Sequence, residues 1–399
     1  MSLDYDVIII GSGMVGGCLG LALSKSSLRV AIVEARPFAD KQADTAGKRA
    51  IALSWGSRCI LEQLDIWQQI YESAMPIRQI HVSDKGHFGK TRLSAKMQQV
   101  DALGYVVEAA QIEAVVAESL AATNVDILCP ATLVDYADRG ASSAVTISLD
   151  GKEQTLSCQL LVGADGGLSN VRQLGGFELK EYSYDQYAIT GLIKVESDVK
   201  DVAYERFTAE GPIAMLPHFD GLYSLVWTMP SALVEKIKCL SEEAFLERLQ
   251  SQFGHWLGEL SVSGERQTFP LSLSYTPHST CARTVLIGNA AHQLHPVAGQ
   301  GFNLGLRDAA MLADVLMSAK QDIGTDEMLE AYARQRKTDQ ALVIGFTDTV
   351  IKLFSTDSAL FSVVRNSGLL MLDKVPVLKN QFARQTMGLG SRFTRLEAN

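Results

Sequence analysis

Residues Tyr5 to Glu34 constrain this chain more than any other stretch. Val7-Ile8-Ile9-Ile10 is a β-branched apolar run, read as a buried strand, and it leads straight into Gly11-Ser12-Gly13-Met14-Val15-Gly16. Met14 to Lys25 has helical composition, and Arg29 to Glu34 is a second apolar strand that ends in an acid 18 residues beyond Gly16. Strand, G-x-G-x-x-G, helix and strand-terminal acid together are the arrangement that binds a dinucleotide. Gly11 permits the tight turn, Gly13 leaves room for a pyrophosphate, and Gly16 lets helix and strand pack closely. Free N–H groups at the helix start face the phosphates, and Glu34 accepts from a ribose hydroxyl, which favours a free 2′-hydroxyl over a 2′-phosphate.

The same stretch raises a membrane question, because no charge falls between Val7 and Ser24. Asp4 and Asp6 precede it where a secretory signal carries Lys or Arg, and five of its 18 residues are glycine. The expectation is a soluble, cytoplasmic chain. Six scattered cysteines without a C-x-x-C fit reduced thiols, not a disulfide framework or a zinc site. A net charge of −9 argues against a broad nucleic-acid-binding surface. His292 and His295 are three apart, but no carboxylate or cysteine completes a ligand set, so no metal is expected. There is no G-x-S-x-G, so a serine hydrolase lacks its nucleophile turn.

Two further strand–turn units follow. Leu160-Leu161-Val162-Gly163-Ala164-Asp165-Gly166 presents an Asp that reads as exposed. Thr284-Val285-Leu286-Ile287-Gly288-Asn289 leads into His295-Pro296-Val297-Ala298-Gly299-Gln300-Gly301-Phe302-Asn303. Leu306 to Ala319 then carries apolar residues at Ala309, Leu312, Ala313 and Leu316, the spacing of a helix packed on one face.

These three units, in this order and spacing, resemble the group A FAD-dependent aromatic hydroxylases, the family of para-hydroxybenzoate hydroxylase. Arg49-Ala50-Ile51-Ala52-Leu53, His81-Val82-Ser83-Asp84, Glu205-Arg206-Phe207-Thr208, Gly211 to Pro217 and Ser224-Leu225-Val226-Trp227 resemble its ubiquinone-biosynthesis branch, whose members hydroxylate 2-polyprenyl-6-methoxyphenols. The likeness spans nearly the whole chain. It implies bound FAD, with NAD(P)H and O2 as co-substrates, and ring hydroxylation of a polyprenyl phenol through a flavin C4a-hydroperoxide.

The resemblance also carries residue roles. Gly11, Gly13, Gly16 and Glu34 match the ADP-binding fingerprint, and Arg49 and Gln111 match positions at the flavin phosphate and ribityl region. Asp165 and Gly166 match a motif serving FAD and NAD(P)H. Gly288 and Asn289 match a Gly-Asp motif at the ribityl chain, with Asn289 departing from the usual Asp. Pro296, Gly299, Gln300 and Gly301 match the loop that positions the flavin ring. Asn303 matches the start of a helix whose N-terminus faces the flavin's pyrimidine end. No general acid or base is assigned. Two other activities stay open on the residues alone: reduction of an isoprenoid chain, or a flavin-binding scaffold or redox sensor without turnover.

The expected fold is mixed α/β: a Rossmann-like FAD-binding domain, an antiparallel substrate sheet and a C-terminal helical segment. Residues 1–75, 102–175 and 276–340 are assigned to the first, 76–101 and 176–275 to the second, and 341–399 to the third. Alternation in Ala188 to Val195 and Gly221 to Trp227 predicts antiparallel strands covering the flavin. Tyr182, Tyr184, Tyr187, Phe219 and Tyr223 divide between cavity lining and sheet packing, the latter being preferred. In 341–399, Val343, Phe346, Val350 and Phe354 recur at helical spacing, and seven Lys/Arg outnumber four Asp/Glu. A packed helical appendage explains this. A surface for the polyprenyl tail, for a partner in a ubiquinone-biosynthesis complex or for the inner membrane is the sharper alternative. No oligomeric state is expected on these residues.

Overall fold

The computed structural model describes residues 3–37, 50–295, 299–319, 322–355 and 359–390. The opening unit folds as its pattern requires. Strand β1 (Val7–Ile10) is buried along its whole length, helix α1 (Met14–Leu23) follows the glycine turn, and strand β2 (Val30–Val33) lies beside β1 in parallel register, with Val7 opposite Val30. The strand Leu160–Gly163 pairs with the other edge of β1, also in parallel, and Thr284–Leu286 continues the sheet beyond it. The six-stranded order is Thr280–Cys281, Thr284–Leu286, Leu160–Gly163, β1, β2, Asp126–Leu128. Parallel strands buried on both faces need continuous apolar runs, which is what Val7 to Ile10 and Leu160 to Gly163 supply. The three glycine-bearing turns thus leave the same end of adjacent strands.

A second sheet of eight strands runs His292–Gln293, Leu260–Tyr275, Lys180–Val195, Leu222–Pro230, Ile213–Pro217, Val202–Phe207, Gln79–Asp84, Lys90–Ser94. It is antiparallel except where Val202–Phe207 runs parallel to Gln79–Asp84. The period of two sorts its side chains. Ile189, Ile193, Tyr223, Leu225 and Trp227 pack on one face against Val234 and Ile237 of the helix Ser231–Lys238 and Phe245, Leu249 and Phe253 of the helix Glu242–Phe253. Residues of opposite parity, among them Ala188, Thr190, Leu192, Ser224 and Val226, face a cavity.

The helix Gln300–Ser318 begins six residues before the apolar repeat that announced it and packs on α1 and on the turn Gly288–Ala290. Three helices close the described chain: Asp326–Ser355, Ala359–Lys374 and Pro376–Thr386. The first runs unbroken through residue 341, so the change of character there falls within one helix. None of the six cysteines is in a disulfide, and no helix among the described residues is long and apolar enough to cross a membrane.

Candidate functional site

One cavity of about 1600 Å³ runs between the two sheets. A single small-molecule site is usually about 300–1,000 Å³, so this one has room for a dinucleotide and a second molecule. Its floor begins at the first glycine turn. Gly11 adopts φ +100°, and a Cβ there would lie 2.6 Å from the Ala164 carbonyl oxygen. At Gly16 a Cβ would lie 2.1 Å from the Gly11 carbonyl oxygen, so the helix reaches the strand only because no side chain intervenes. Gly13 differs: a Cβ there meets no atom within 4 Å, and the residue lines the cavity. The three glycines divide as the fingerprint requires, two for close approach of backbone and one for a ligand. Glu34 is buried at the end of β2, where its Oε2 accepts from the Ser12 N–H and Oγ, both at 2.8 Å, and its Oε1 from the Arg36 N–H at 2.9 Å. It lines the cavity beside the turn.

Asp165 is half-buried, a correction to the exposed residue that the sequence suggests. Its oxygens accept from Ser169 Oγ at 2.5 Å, the Asn170 N–H at 2.7 Å and the Val171 N–H at 3.2 Å. The carboxylate thus closes its own turn onto the short helix Asn170–Leu174, while Asp165 and Gly166 both border the cavity. Arg172, which sequence reasoning passed over, clasps this turn to the next. It is buried and donates to the Gly167 and Ala290 carbonyls at 2.6 and 2.9 Å.

Gly288 takes φ +59° with Val15 3.1 Å from where its Cβ would be, and Asn289 is exposed on the cavity wall with its amide unengaged among the described residues. Beneath them lies a buried charge network. Asp308 Oδ2 meets His292 Nε2 at 2.5 Å and accepts from the Gly288 N–H at 3.2 Å, and its Oδ1 accepts from Arg336 at 2.7 Å and Gln340 at 3.0 Å. Asp339 takes Arg336 at 2.7 Å and Arg307 at 2.8 Å. Burial alone would raise the Asp308 carboxyl, but His292 and Arg336 hold it well below the usual carboxylate range. His292 therefore has a structural partner. His295, buried beside the cavity, is pushed by burial down to about 4. The described residues contain no cluster of His, Cys, Asp and Glu able to hold a metal ion.

Gly299 precedes the helix Gln300–Ser318 in a left-handed conformation, φ +58°, and Gly301 opens onto the cavity. Gln300 is buried and reaches the Thr386 carbonyl at 3.5 Å. Asn303 is a clasp: its Oδ1 accepts from the Ser54 N–H at 2.8 Å and Ser57 Oγ at 2.6 Å, and its Nδ2 donates to the Ala52 and Gly299 carbonyls at 2.8 and 2.6 Å. Its hydrogen-bonding capacity is filled within the protein, so the side chain holds the helix start, and the residues of that first turn line the cavity. Gln111 does not border the cavity. It is exposed in the first turn of the helix Ala109–Ala121, and Glu113, about 200° further round that helix, lines the cavity in its place. Arg49 and Pro296 lie outside the described residues.

The far wall is the antiparallel sheet and the C-terminal helices. Phe346, Val350, Leu369, Leu372, Phe382 and Met387 contribute an apolar lining. Tyr182, Tyr184, Tyr187, Phe219 and Tyr223 do not line it. Tyr187 and Tyr223 fall on the helix-covered parity, and Tyr184 donates to Asp348 at 3.0 Å and meets the His295 ring edge-on.

The FAD binding domain family matches residues 4–347. The chain belongs to this family of FAD-dependent aromatic hydroxylases. It is 33% identical to the ubiquinone hydroxylase UbiL of Rhodospirillum rubrum, over 96% of this chain and 89% of the relative. It is 29% identical to the 3-demethoxyubiquinol 3-hydroxylase of Escherichia coli K12, over 96% and 98%. Among solved structures, p-nitrophenol 4-monooxygenase PnpA from Pseudomonas putida superposes with a TM-score of 0.78 at 17% identity, covering 98% of this chain and all of that one, and so shares its fold. The protein is an FAD-dependent monooxygenase that uses NAD(P)H and O2, and its glycine turns, Glu34 and the cavity fit that cofactor.

Proposed function

We propose that this enzyme hydroxylates the aromatic ring of a 2-polyprenyl-6-methoxyphenol in ubiquinone biosynthesis. The observation that carries the reading is the composition of this cavity of about 1600 Å³ along its length. It starts at phosphate-sized glycine turns, passes a helix N-terminus, and ends among apolar side chains of three C-terminal helices. A phenol head on a long hydrocarbon tail has that distribution of polarity. The names of the two relatives above, a ubiquinone hydroxylase and a 3-demethoxyubiquinol 3-hydroxylase, support the substrate class.

In this reading Gly13 leaves the space for the pyrophosphate, Gly11 and Gly16 hold the turn and helix around it, and Glu34 takes the adenosine ribose. Asp165 and Gly166 serve FAD and NAD(P)H, Gly288 and Asn289 border the ribityl chain, and Gly299, Gln300 and Gly301 border the ring. When bound, FAD takes a hydride from NAD(P)H and activates O2, so that one oxygen enters the substrate and the other leaves as water. The N–H groups opening the helix Gln300–Ser318 stabilise negative charge gathered on the pyrimidine end of the ring. The sheet and C-terminal helices exclude water and hold the phenol ring within roughly 3–3.5 Å of the reacting oxygen. We assign residues 1–75, 102–175 and 276–340 to cofactor binding, and 76–101 and 176–275 to the substrate wall. The segment from 341 onward holds the tail and is the surface offered to a pathway partner or the inner membrane.

The test is product mass after incubating FAD-loaded protein with NADPH, a 2-polyprenyl-6-methoxyphenol and heavy O2. One heavy oxygen in the product is the expected result. NADPH consumption with a product two hydrogens heavier would replace this reading with chain reduction, and no turnover with bound flavin would replace it with a scaffold.

A further inference from the structure

Glu205 sits in the middle of the strand Val202–Phe207, opposite Ala214 on one neighbour and Val82 on the other. The cross-strand row through it reads Val82, Glu205, Ala214, Val226, Thr190, Gln267, and every member lines the cavity. On its own strand Ala203 and Phe207 share this face. A carboxylate in the centre of an apolar wall is costly to keep unless it has a task.

Among the described residues no opposite charge offsets that cost. Lys90, Arg92 and Arg206 alternate to the other side of the sheet, where Arg206 lies 5.0 Å over the Trp256 ring and His81 stacks on the same ring at 4.2 Å. Ile213–Pro217 brings no charged residue. The helix Ala359–Lys374, packed on the strand Lys90–Ser94, presents Gly368, Leu369 and Leu372 to the cavity, while its Asp373 pairs with Lys379. Other charged groups on the cavity wall include Glu108, Asp165, Glu265 and His295. None of them enters the balance at Glu205, whose carboxyl is pushed up to about 7 by burial alone.

We propose that Glu205 exchanges the proton of the substrate's phenol hydroxyl, an assignment that rests on the hydroxylase reading above. The O–H bond breaks toward a Glu205 carboxylate oxygen, and the electron pair left on the phenolate oxygen raises the density of the ring. The ring carbon then bonds to one oxygen of O2 as the O–O bond breaks, and the electron pair of that bond leaves with the second oxygen. When that carbon gives up its hydrogen as a proton to the departing oxygen and the ring becomes aromatic again, Glu205 returns its own proton to the original phenol oxygen. Two electrons from NAD(P)H reduce the second oxygen to water, so the carboxylate is regenerated and the balance closes.

Glu205→Gln removes the acceptor at nearly constant volume. Proton transfer by a positioned side chain is worth about 10²–10⁴-fold. The variant is expected to keep wild-type flavin content and a flavin reduction rate with NADPH within about twofold, and to form hydroxylated product about 10²-fold slower or worse. Glu205 accepts a proton only while ionised, so wild-type product formation falls as pH drops through about 7, and the variant loses this break. Glu205→Asp guards against a folding defect: it keeps the break near neutral pH at a reduced rate. An unchanged rate and break in Glu205→Gln, or loss of the break in Glu205→Asp, overturns the assignment. Wild-type enzyme that forms no hydroxylated product refutes the parent reading instead.

Discussion

Replacing Asp308 by Asn tests whether the buried network beneath the third glycine turn holds that turn in place. Asp308 is fully buried and receives His292, Arg336, Gln340 and the Gly288 N–H. The amide has nearly the same shape, but it cannot accept from all four groups and carries no charge to set against Arg336. Breaking a buried ion pair by removing one partner costs about 3–5 kcal/mol. Arg336 retains Asp339 at 2.7 Å, which places the expected loss at the lower end, about 3 kcal/mol. With an m-value of about 3 kcal/mol/M, the urea midpoint falls by about 1 M. Flavin retention should fall with it, because the Gly288 N–H loses its acceptor at the cavity edge.

The same carboxylate predicts a pH dependence with a definite sign. Its folded-state pKa lies below the unfolded one, so its contribution is complete above the unfolded value of about 3.9 and is lost as pH falls through the depressed folded value. Wild type and Asp308→Asn should therefore differ by a constant amount from pH 8 to about pH 5 and converge only in stronger acid. Equal urea midpoints at pH 7, or a gap that opens and closes between pH 6 and 8, would show that Asp308 is not the keystone of this network.

Two further substitutions probe the turns themselves. Gly13→Val is expected to fold normally, since a Cβ there meets no protein atom and φ is −67°, yet to purify without flavin; a yellow variant with wild-type flavin content would refute the pyrophosphate assignment. Asn289→Asp is expected to fold normally and keep its flavin dissociation constant within about tenfold, or 1.4 kcal/mol, because the exposed amide has no partner among the described residues to lose; loss of flavin in a titration would show that its N–H donors are required.

The parallel sheet was legible because its information is local. A buried strand, a glycine turn and a helix lie within thirty residues, and each glycine's steric duty follows from its place in the turn. The alternating strands Ala188 to Val195 and Gly221 to Trp227 were legible for the same reason, as their period of two assigns faces directly. What the residues could not display is which side chains meet across long separations. Asp165 reads as an open acid until the Ser169 hydroxyl folds back onto it, and Asn303 reads as a ligand contact until Ser54 and Ser57, about 250 residues earlier, occupy its amide. Gln111 lies exposed while Glu113 lines the cavity, a distinction that depends on how the helix docks. Arg172 and Arg336 left no local signal at all, since a buried arginine is identified only by its partners.

Parity explains how one strand can serve two opposed purposes. In Glu205-Arg206 the two charges are adjacent in sequence, yet the pleat sends the carboxylate into the apolar cavity and the guanidinium to the far face over Trp256. Had the register slipped by one residue, Arg206 would point at the substrate and Glu205 would be buried on the side of Phe253 and Trp256. The pairing that prevents this is distributed: Val82 beside Glu205 on one strand, Ala214 on the other, and Val226 beyond. These small and β-branched residues fit the cavity face, while Tyr204, Tyr223 and Trp227 pack on the helix-covered side. A substitution that enlarges Ala214 would therefore reach the chemistry without touching a reactive group, because it would crowd Glu205.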